Sequence, residues 1–191
     1  MDEIILATGS PYRQQLFSNL GLNFRAEKSD VDENFSDRPS DPKKLVIELA
    51  KRKALTIAKK NKTGIVIGFD SIGYASGKIL EKPVSRKDAF KMLKKLSGSS
   101  WYFVTGIFII NIEKNKSLKK VVSTKIYFRQ ISDFEINKYL DQDKNYCTYA
   151  SGFNASKYYS STFCDRISGS YNNLCGGLPL EVIIKMLDKI K

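Results

Sequence analysis

The sequence predicts an α/β fold, and three observations carry that reading. Short apolar runs alternate along the chain with helix-period apolar stripes. The run Ile65-Val66-Ile67-Gly68-Phe69 is apolar at every position, as expected of a strand covered on both faces. Two long β segments, about Trp101–Ile112 and Val121–Arg129, sit next to one another and argue against an all-parallel sheet.

Glu3–Ala7 reads as a buried strand stopping at Thr8-Gly9-Ser10-Pro11. Ser10 as N-cap and Pro11 at the first helical position start a helix whose apolar residues are Leu16, Phe17 and Leu20, and Gly21 ends it. Leu22–Ala26 is a second strand, followed by a polar loop, Glu27–Asp41. Asp41-Pro42 opens a helix of span 42–60 with the stripe Leu45, Val46, Leu49, Ala50, Ala54, Ile57 and Ala58. Lys53 shares the face of Val46, Ala50 and Ile57, so it must snorkel or meet an anion.

After the apolar run comes Asp70. Ser71–Ser76, Gly77-Lys78 and Ile79-Leu80 then read as a hairpin closed by Lys82-Pro83. A helix runs from Ser85 to Leu96, with Ser85 and Asp88 at capping-box spacing and Gly98 after its end. The two long strands meet at a Glu-Lys-Asn-Lys turn. Ser132-Asp133-Phe134-Glu135 opens a helix to about Leu140, Tyr146–Ser161 carries no clear period, Thr162–Ile167 is a strand, and Pro179 begins a terminal helix. With no composition shift or repeat, residues 1–191 read as one domain that accommodates two lobes.

The chain has 191 residues, 42% of them hydrophobic, and no histidine at all. That last count excludes imidazole metal sites, Ser-His-Asp and Cys-His hydrolases and any histidine base, leaving carboxylate, lysine, tyrosine or cysteine to move protons. Three cysteines, Cys147, Cys164 and Cys175, with no C-x-x-C spacing fit a reducing compartment. The short apolar start is no signal or membrane segment, so a cytoplasmic protein with no membrane partner is expected. The net charge of +12 suits a nucleic-acid surface or a pocket for a small polyanion, but scattered lysines on a solvated surface account for most of it.

Six features bear on chemistry. Thr8-Gly9-Ser10-Pro11-Tyr12-Arg13 is either an ordinary strand-to-helix turn or a phosphate loop with Arg13 as its clamp. Asp70 is either a turn aspartate or a carboxylate at the carboxyl end of a buried strand, where open α/β sheets keep their sites. Asp30, Asp32 and Glu33 are solvated loop acids or oxygen ligands for a divalent cation. Lys53 and Lys82 are surface lysines or neutralise a triphosphate. The cysteines read as inert, and Tyr158, Tyr159 and Tyr171 are packing residues or stack on a base.

In order, these pieces resemble the Maf family of nucleoside triphosphate pyrophosphatases over nearly the whole chain. Ile5-Leu6-Ala7-Thr8-Gly9-Ser10-Pro11-Tyr12-Arg13 is similar to its Ser-Pro-x-Arg opening, Asp32-Glu33 to its acidic pair, and Leu49-Ala50-Lys51-Arg52-Lys53-Ala54 to its Leu-Ala-x-x-Lys-Ala helix. Gly68-Phe69-Asp70, Ile79-Leu80-Glu81-Lys82-Pro83, Leu96-Ser97-Gly98, Val104-Thr105-Gly106 and Leu178-Pro179-Leu180 complete the pattern.

The resemblance implies a mixed central sheet flanked by helices, in an elongated two-lobed architecture like that of inosine triphosphatases, with a cleft between the lobes. It implies hydrolysis of a nucleoside triphosphate between the α and β phosphates with Mg²⁺ or Mn²⁺, and a homodimer that has no nucleic-acid partner. It makes Asp70 the general base or a metal ligand, and Glu33 a second ligand. Ser10, Tyr12, Arg13, Lys53, Ser71, Lys82 and Ser156 become substrate-binding residues. Tyr12 stands where many members have Arg and, with Ala150–Lys157, looks like the branch associated with 7-methyl-GTP. The acid-Lys-Ala-Gly pattern of the dTTP/UTP branch is missing around Asn145–Ser151, and neither branch's Gln or Glu stands near Ser156. The expected preference is therefore 7-methyl-GTP. A dTTP/UTP-preferring enzyme and a weakened nucleotide- or RNA-binding regulator are the alternatives.

Overall fold

The computed structural model describes residues 3–191. In chain order the elements are β1 (Ile4–Ala7), α1 (Pro11–Ser18), β2 (Phe24–Glu27), α2 (Pro42–Ala58), β3 (Ile65–Ala75), β4 (Lys78–Leu80), α3 (Arg86–Leu96), β5 (Ser100–Asn111) and β6 (Lys116–Phe128). Then follow α4 (Asp133–Gln142), β7 (Cys164–Ser168), α5 (Tyr171–Gly176) and α6 (Leu180–Ile190). The seven strands form one mixed sheet, ordered β2-β1-β3-β5-β6-β7 with β4 on β3. The chain divides into two compact units, the first made of residues 3–71, 104–122 and 176–191 and the second of 72–103 and 123–175.

In the first unit β1 pairs in parallel with both β2 and β3, Ile4 lying opposite Phe24 and Ile65. The two-residue period of the strands sorts their side chains. Ile4, Leu6, Ile65, Ile67 and Phe69 pack with Phe17 of α1, Ile107 and Ile109 of β5, and Ile183, Leu187 and Ile190 of α6. Ile5, Ala7, Val66 and Phe108 pack the other way, against Ala50, Ala54 and Ile57 of α2. Each fully buried aliphatic side chain contributes about 1.5–3 kcal/mol. Two glycines set the depth of α2. A Cβ on Gly68 would lie 2.1 Å from the Ala50 carbonyl oxygen, and one on Gly106 2.3 Å from that of Val46, so the helix backbone rests directly on β3 and β5.

The second unit is aromatic where the first is aliphatic. Trp101, Phe128 and Phe153 meet edge to face, with ring centres 5.6 Å apart for Trp101–Phe128 and 4.9 Å for Phe128–Phe153. Ala89 and Leu93 of α3 and Ile136, Tyr139 and Leu140 of α4 complete that core. Ser132 and Glu135 form the expected capping box at the start of α4. The β3–β4 hairpin turns at Ser76-Gly77, both with positive φ (48° and 77°), the geometry of a tight primed turn.

Two expectations change, and one stretch without a period is resolved. β3 does not end at Asp70 but runs unbroken into the hairpin arm as far as Ala75: its parallel pairing with β1 ends at Gly68, and antiparallel pairing with β4 takes over from Gly73. β6 begins at Lys116, five residues earlier than its apolar part, because Lys116–Lys120 extend the strand as a largely exposed polar edge. Tyr171–Gly176 is a short helix, and Tyr146–Thr162 holds three separate 3₁₀ turns rather than regular structure.

Candidate active site

Val66, Gly68 and Asp70 alternate onto the α2 face of β3. Because Gly68 lets α2 sit against the strand, Lys53, one turn after Ala50, reaches the carboxylate: its Nζ donates to Asp70 Oδ1 at 2.6 Å. The same Nζ pairs with Glu33 Oε1 at 2.7 Å, from the loop between β2 and α2. Asp70 and Lys53 keep only 10% and 13% of their side-chain surface exposed, whereas Glu33 keeps 47%. The stripe lysine therefore meets an anion rather than snorkelling. Burial pushes the Asp70 carboxyl above the usual aspartate range, with Glu33 adding to the rise while Lys53 and Arg13 oppose it.

The opposite face of β3 is built differently. Ser10 caps α1, its Oγ accepting the Arg13 backbone N–H at 3.4 Å, which starts the helix one turn before the Arg13 side chain is needed. Arg13 Nη2 donates to Ser71 Oγ at 3.0 Å and its Nε to the Gly176 carbonyl at 3.2 Å. Ser71 Oγ in turn shares a 2.8 Å hydrogen bond with Thr105 Oγ1, which is wholly buried. Burial lowers the Arg13 guanidinium from its usual value, against the pull of Asp70 and Glu33. Next to it Gly177 has φ +64° and a Cβ there would stand 2.3 Å from Ser71 Oγ, so only glycine fits. Tyr12 is half-buried, and a Cβ on Gly176 would lie 3.1 Å from its ring.

Ser10, Tyr12, Arg13, Glu33, Lys53, Asp70 and Ser71 thus all belong to the first unit. Lys82 and Ser156 belong to the second, where both are exposed; Ser156 donates from N and Oγ to Asn154 Oδ1 at 3.0 and 3.1 Å. The acidic loop does not converge as a trio. Asp30 pairs with Lys28 at 2.9 Å and Asp32 accepts the Asn34 N–H, leaving Glu33 as the loop acid that reaches Lys53. Among the described residues no cluster of three or more acidic or cysteine side chains is set to hold a metal. Two carboxylates already gathered around one cation, Lys53, nonetheless fit a hard divalent ion that completes its shell with water and phosphate oxygens.

Sequence reasoning gave Thr105, quoted only as part of Val104-Thr105-Gly106, no place in the site, and it missed the Gly176-Gly177 pair. The available signal was a hydroxyl inside the otherwise apolar stretch Phe103–Ile107, and a double glycine directly before the Leu-Pro that opens α6. The cysteines are free, and burial raises Cys164 and Cys175, the reverse of an activated thiol. No helix among the described residues is long and apolar enough to cross a membrane.

Compared with known proteins, the chain matches the family model described as Maf-like protein over residues 3–190. It belongs to the Maf family. One Maf relative, the dTTP/UTP pyrophosphatase of Thermoanaerobacter sp. (strain X514), is 36% identical over 188 residues, covering 98% of this chain and 96% of its own. The dTTP/UTP pyrophosphatase of Ruminiclostridium cellulolyticum is 33% identical over 190 residues, covering 100% of this chain and 97% of its own. That of Clostridium botulinum (strain Okra / Type B1) is 34% identical over 194 residues, with 98% and 96% covered. Among solved structures the Staphylococcus aureus Ham1 protein overlaps at a TM-score of 0.45 with 19% identity, covering 69% of this chain and 72% of that one. The lean to 7-methyl-GTP drawn from Tyr12 finds no support here: the relatives carry the name of the alternative, dTTP/UTP.

Proposed function

We propose that the protein is a nucleoside triphosphate pyrophosphatase that cleaves between the α and β phosphates and prefers dTTP or UTP over 7-methyl-GTP. The observation that carries the reaction is the buried Asp70, paired with Lys53, which also pairs with Glu33, on one face of β3 while Arg13 is fixed on the other. The base preference is supported by the names of the relatives.

In the reaction, water adds to the α-phosphorus, the bond from that phosphorus to the bridging oxygen breaks, and pyrophosphate leaves. Asp70 takes the proton from the water. A carboxyl raised by burial is a stronger base than an exposed aspartate, and it replaces the histidine this chain lacks. Arg13 spends two of its N–H donors on neutral oxygens, of Ser71 and Gly176, and turns the rest of its fork to phosphate. Lys53 supplies a second, mobile cation for charge growing on the leaving pyrophosphate. Glu33 and Asp70 would hold a divalent cation, which supplies charge neutralisation at the phosphates when bound.

The test is pyrophosphate release with Mg²⁺ or Mn²⁺ across dTTP, UTP, CTP, GTP and 7-methyl-GTP. Release led by dTTP or UTP is expected. Release led by 7-methyl-GTP would return base selection to Tyr12, and release from none would remove the enzymatic reading.

A further inference from the structure

Lys53 is placed differently from Arg13. The Arg13 guanidinium is tied by hydrogen bonds to neutral acceptors, a hydroxyl and a carbonyl, and feels Asp70 and Glu33 only at longer range. The Lys53 ammonium lies between two carboxylates, 2.6 Å from Asp70 and 2.7 Å from Glu33, in the place a cation shared by those two acids would take. Resting on the pyrophosphatase reading, we propose that Lys53 is a displaceable counter-ion that couples divalent-cation binding to phosphate binding at this site.

Neither member of the buried pair can be abandoned. Asp70, already disfavoured as an anion by burial, needs a cation, and Lys53, on the apolar stripe of α2 with little exposed surface, needs an anion. A divalent ion arriving alone must expel the ammonium into poorly solvated surroundings, so it binds weakly. When phosphate arrives with the ion, the ammonium exchanges one set of oxygens for another and the cost disappears. The lysine stem, with four rotatable carbons, permits that movement where an arginine fork would hold its place. Binding free energies are reciprocal, so phosphate must tighten the metal by the same factor as the metal tightens phosphate.

The experiment is calorimetric titration of the full chain with Mn²⁺, alone and with inorganic pyrophosphate, for wild type, Lys53→Gln and Lys53→Arg. Direct attraction between Mn²⁺ and pyrophosphate is common to all three and cancels in the comparison. Lys53→Gln is expected to bind Mn²⁺ alone about tenfold or more tightly than wild type and to lose most of the enhancement by pyrophosphate, while Lys53→Arg keeps the weak affinity. A second measurement needs no variant: acylation of Lys53 by an amine-reactive reagent, read by peptide mass spectrometry, should rise with Mn²⁺ and fall again when pyrophosphate is added. Equal Mn²⁺ affinity in wild type and Lys53→Gln, or Lys53 labelling indifferent to Mn²⁺, overturns the exchange. Neither readout depends on turnover. Pyrophosphate release by a wild type that shows no exchange refutes the coupling alone, and exchange without release from any triphosphate refutes the enzymatic reading alone.

Discussion

Asp70 in the first unit and Glu135 in the second each pair with one cationic side chain at nearly the same distance, 2.6 Å to Lys53 and 2.7 Å to Arg129. Their proton affinities move in opposite directions. Burial dominates at Asp70 and pushes it up; at Glu135 the Arg129 hydrogen bond and two contacts with Ser132 pull it down to about 2. A salt bridge by itself therefore says little about role. Glu135 is satisfied, holding α4 to Arg129, the residue after β6, and closing a capping box. Asp70 is held in an environment that disfavours its charge, and such a carboxylate has something to gain from a proton or a metal.

Replacing Asp70 with Asn breaks the comparison most sharply. With general-base help worth about 10²–10⁴-fold, pyrophosphate release should fall by that order while far-UV circular dichroism stays that of the wild type. Full turnover in a folded Asp70→Asn protein would refute the role given to Asp70. Stability should respond with a definite sign. A carboxyl raised in the folded state stabilises most below the ordinary aspartate value and loses that contribution as pH rises through the raised one, so wild type should lose ground to Asp70→Asn as pH climbs through that window.

Gly68→Ala acts one step back, on the approach that makes the pair possible. A methyl group 2.1 Å from a helix carbonyl forces α2 away from β3, at a cost of about 1–3 kcal/mol for overpacking, or more if the helix does not yield. Thermal denaturation should show the loss. The equivalent close approach at Gly106 lies under Val46, two turns from Lys53, so Gly106→Ala should destabilise similarly while disturbing Lys53 less. Comparable losses of Mn²⁺ response in the two variants would show that the Lys53–Asp70 contact does not depend on local helix seating.

Thr105→Val tests the other face of β3. It removes the hydroxyl that holds Ser71 while keeping shape, and a hydrogen bond of this kind contributes about 0.5–1.5 kcal/mol, so KM should rise roughly two- to tenfold with kcat changed less. Thr105→Ser should restore it. Equal losses in Val and Ser variants would point to packing rather than to the hydroxyl.

Much of this arrangement was legible in the sequence because it rests on local rules. Ser10-Pro11 starts α1, Asp41-Pro42 starts α2 and Ser132 with Glu135 starts α4, each by satisfying helix N–H groups from neighbours in the chain. Lys53 was anomalous on its own, a charge on an apolar stripe. What stayed hidden depends on neighbours far along the chain. The continuation of β3 past Asp70 is set by a change of pairing partner from β1 to β4, and Thr105 acquires meaning only when β5 brings it to Ser71. Tyr12 was misleading in a different way: an aromatic side chain supports stacking on many bases, so its chemistry alone cannot choose among them.

Glu135→Gln should have the smallest effect and sharpens the contrast with Asp70. Glutamine keeps one acceptor oxygen for the capping box but puts an N–H donor where the other oxygen accepts from Arg129, so the change removes the charge and the hydrogen bond facing Arg129 together. A glutamate depressed to about 2 stabilises the fold above its ordinary value and loses that contribution as pH falls toward 2. The thermal midpoint of Glu135→Gln should therefore lie below that of wild type at neutral pH, and the gap should close on acidification. This is the mirror image of Asp70→Asn, whose advantage over wild type grows as pH rises. A gap at Glu135 that persists unchanged to pH 2 would mean that the carboxylate works through shape rather than charge, and the opposition between the two acids would then rest on Asp70 alone.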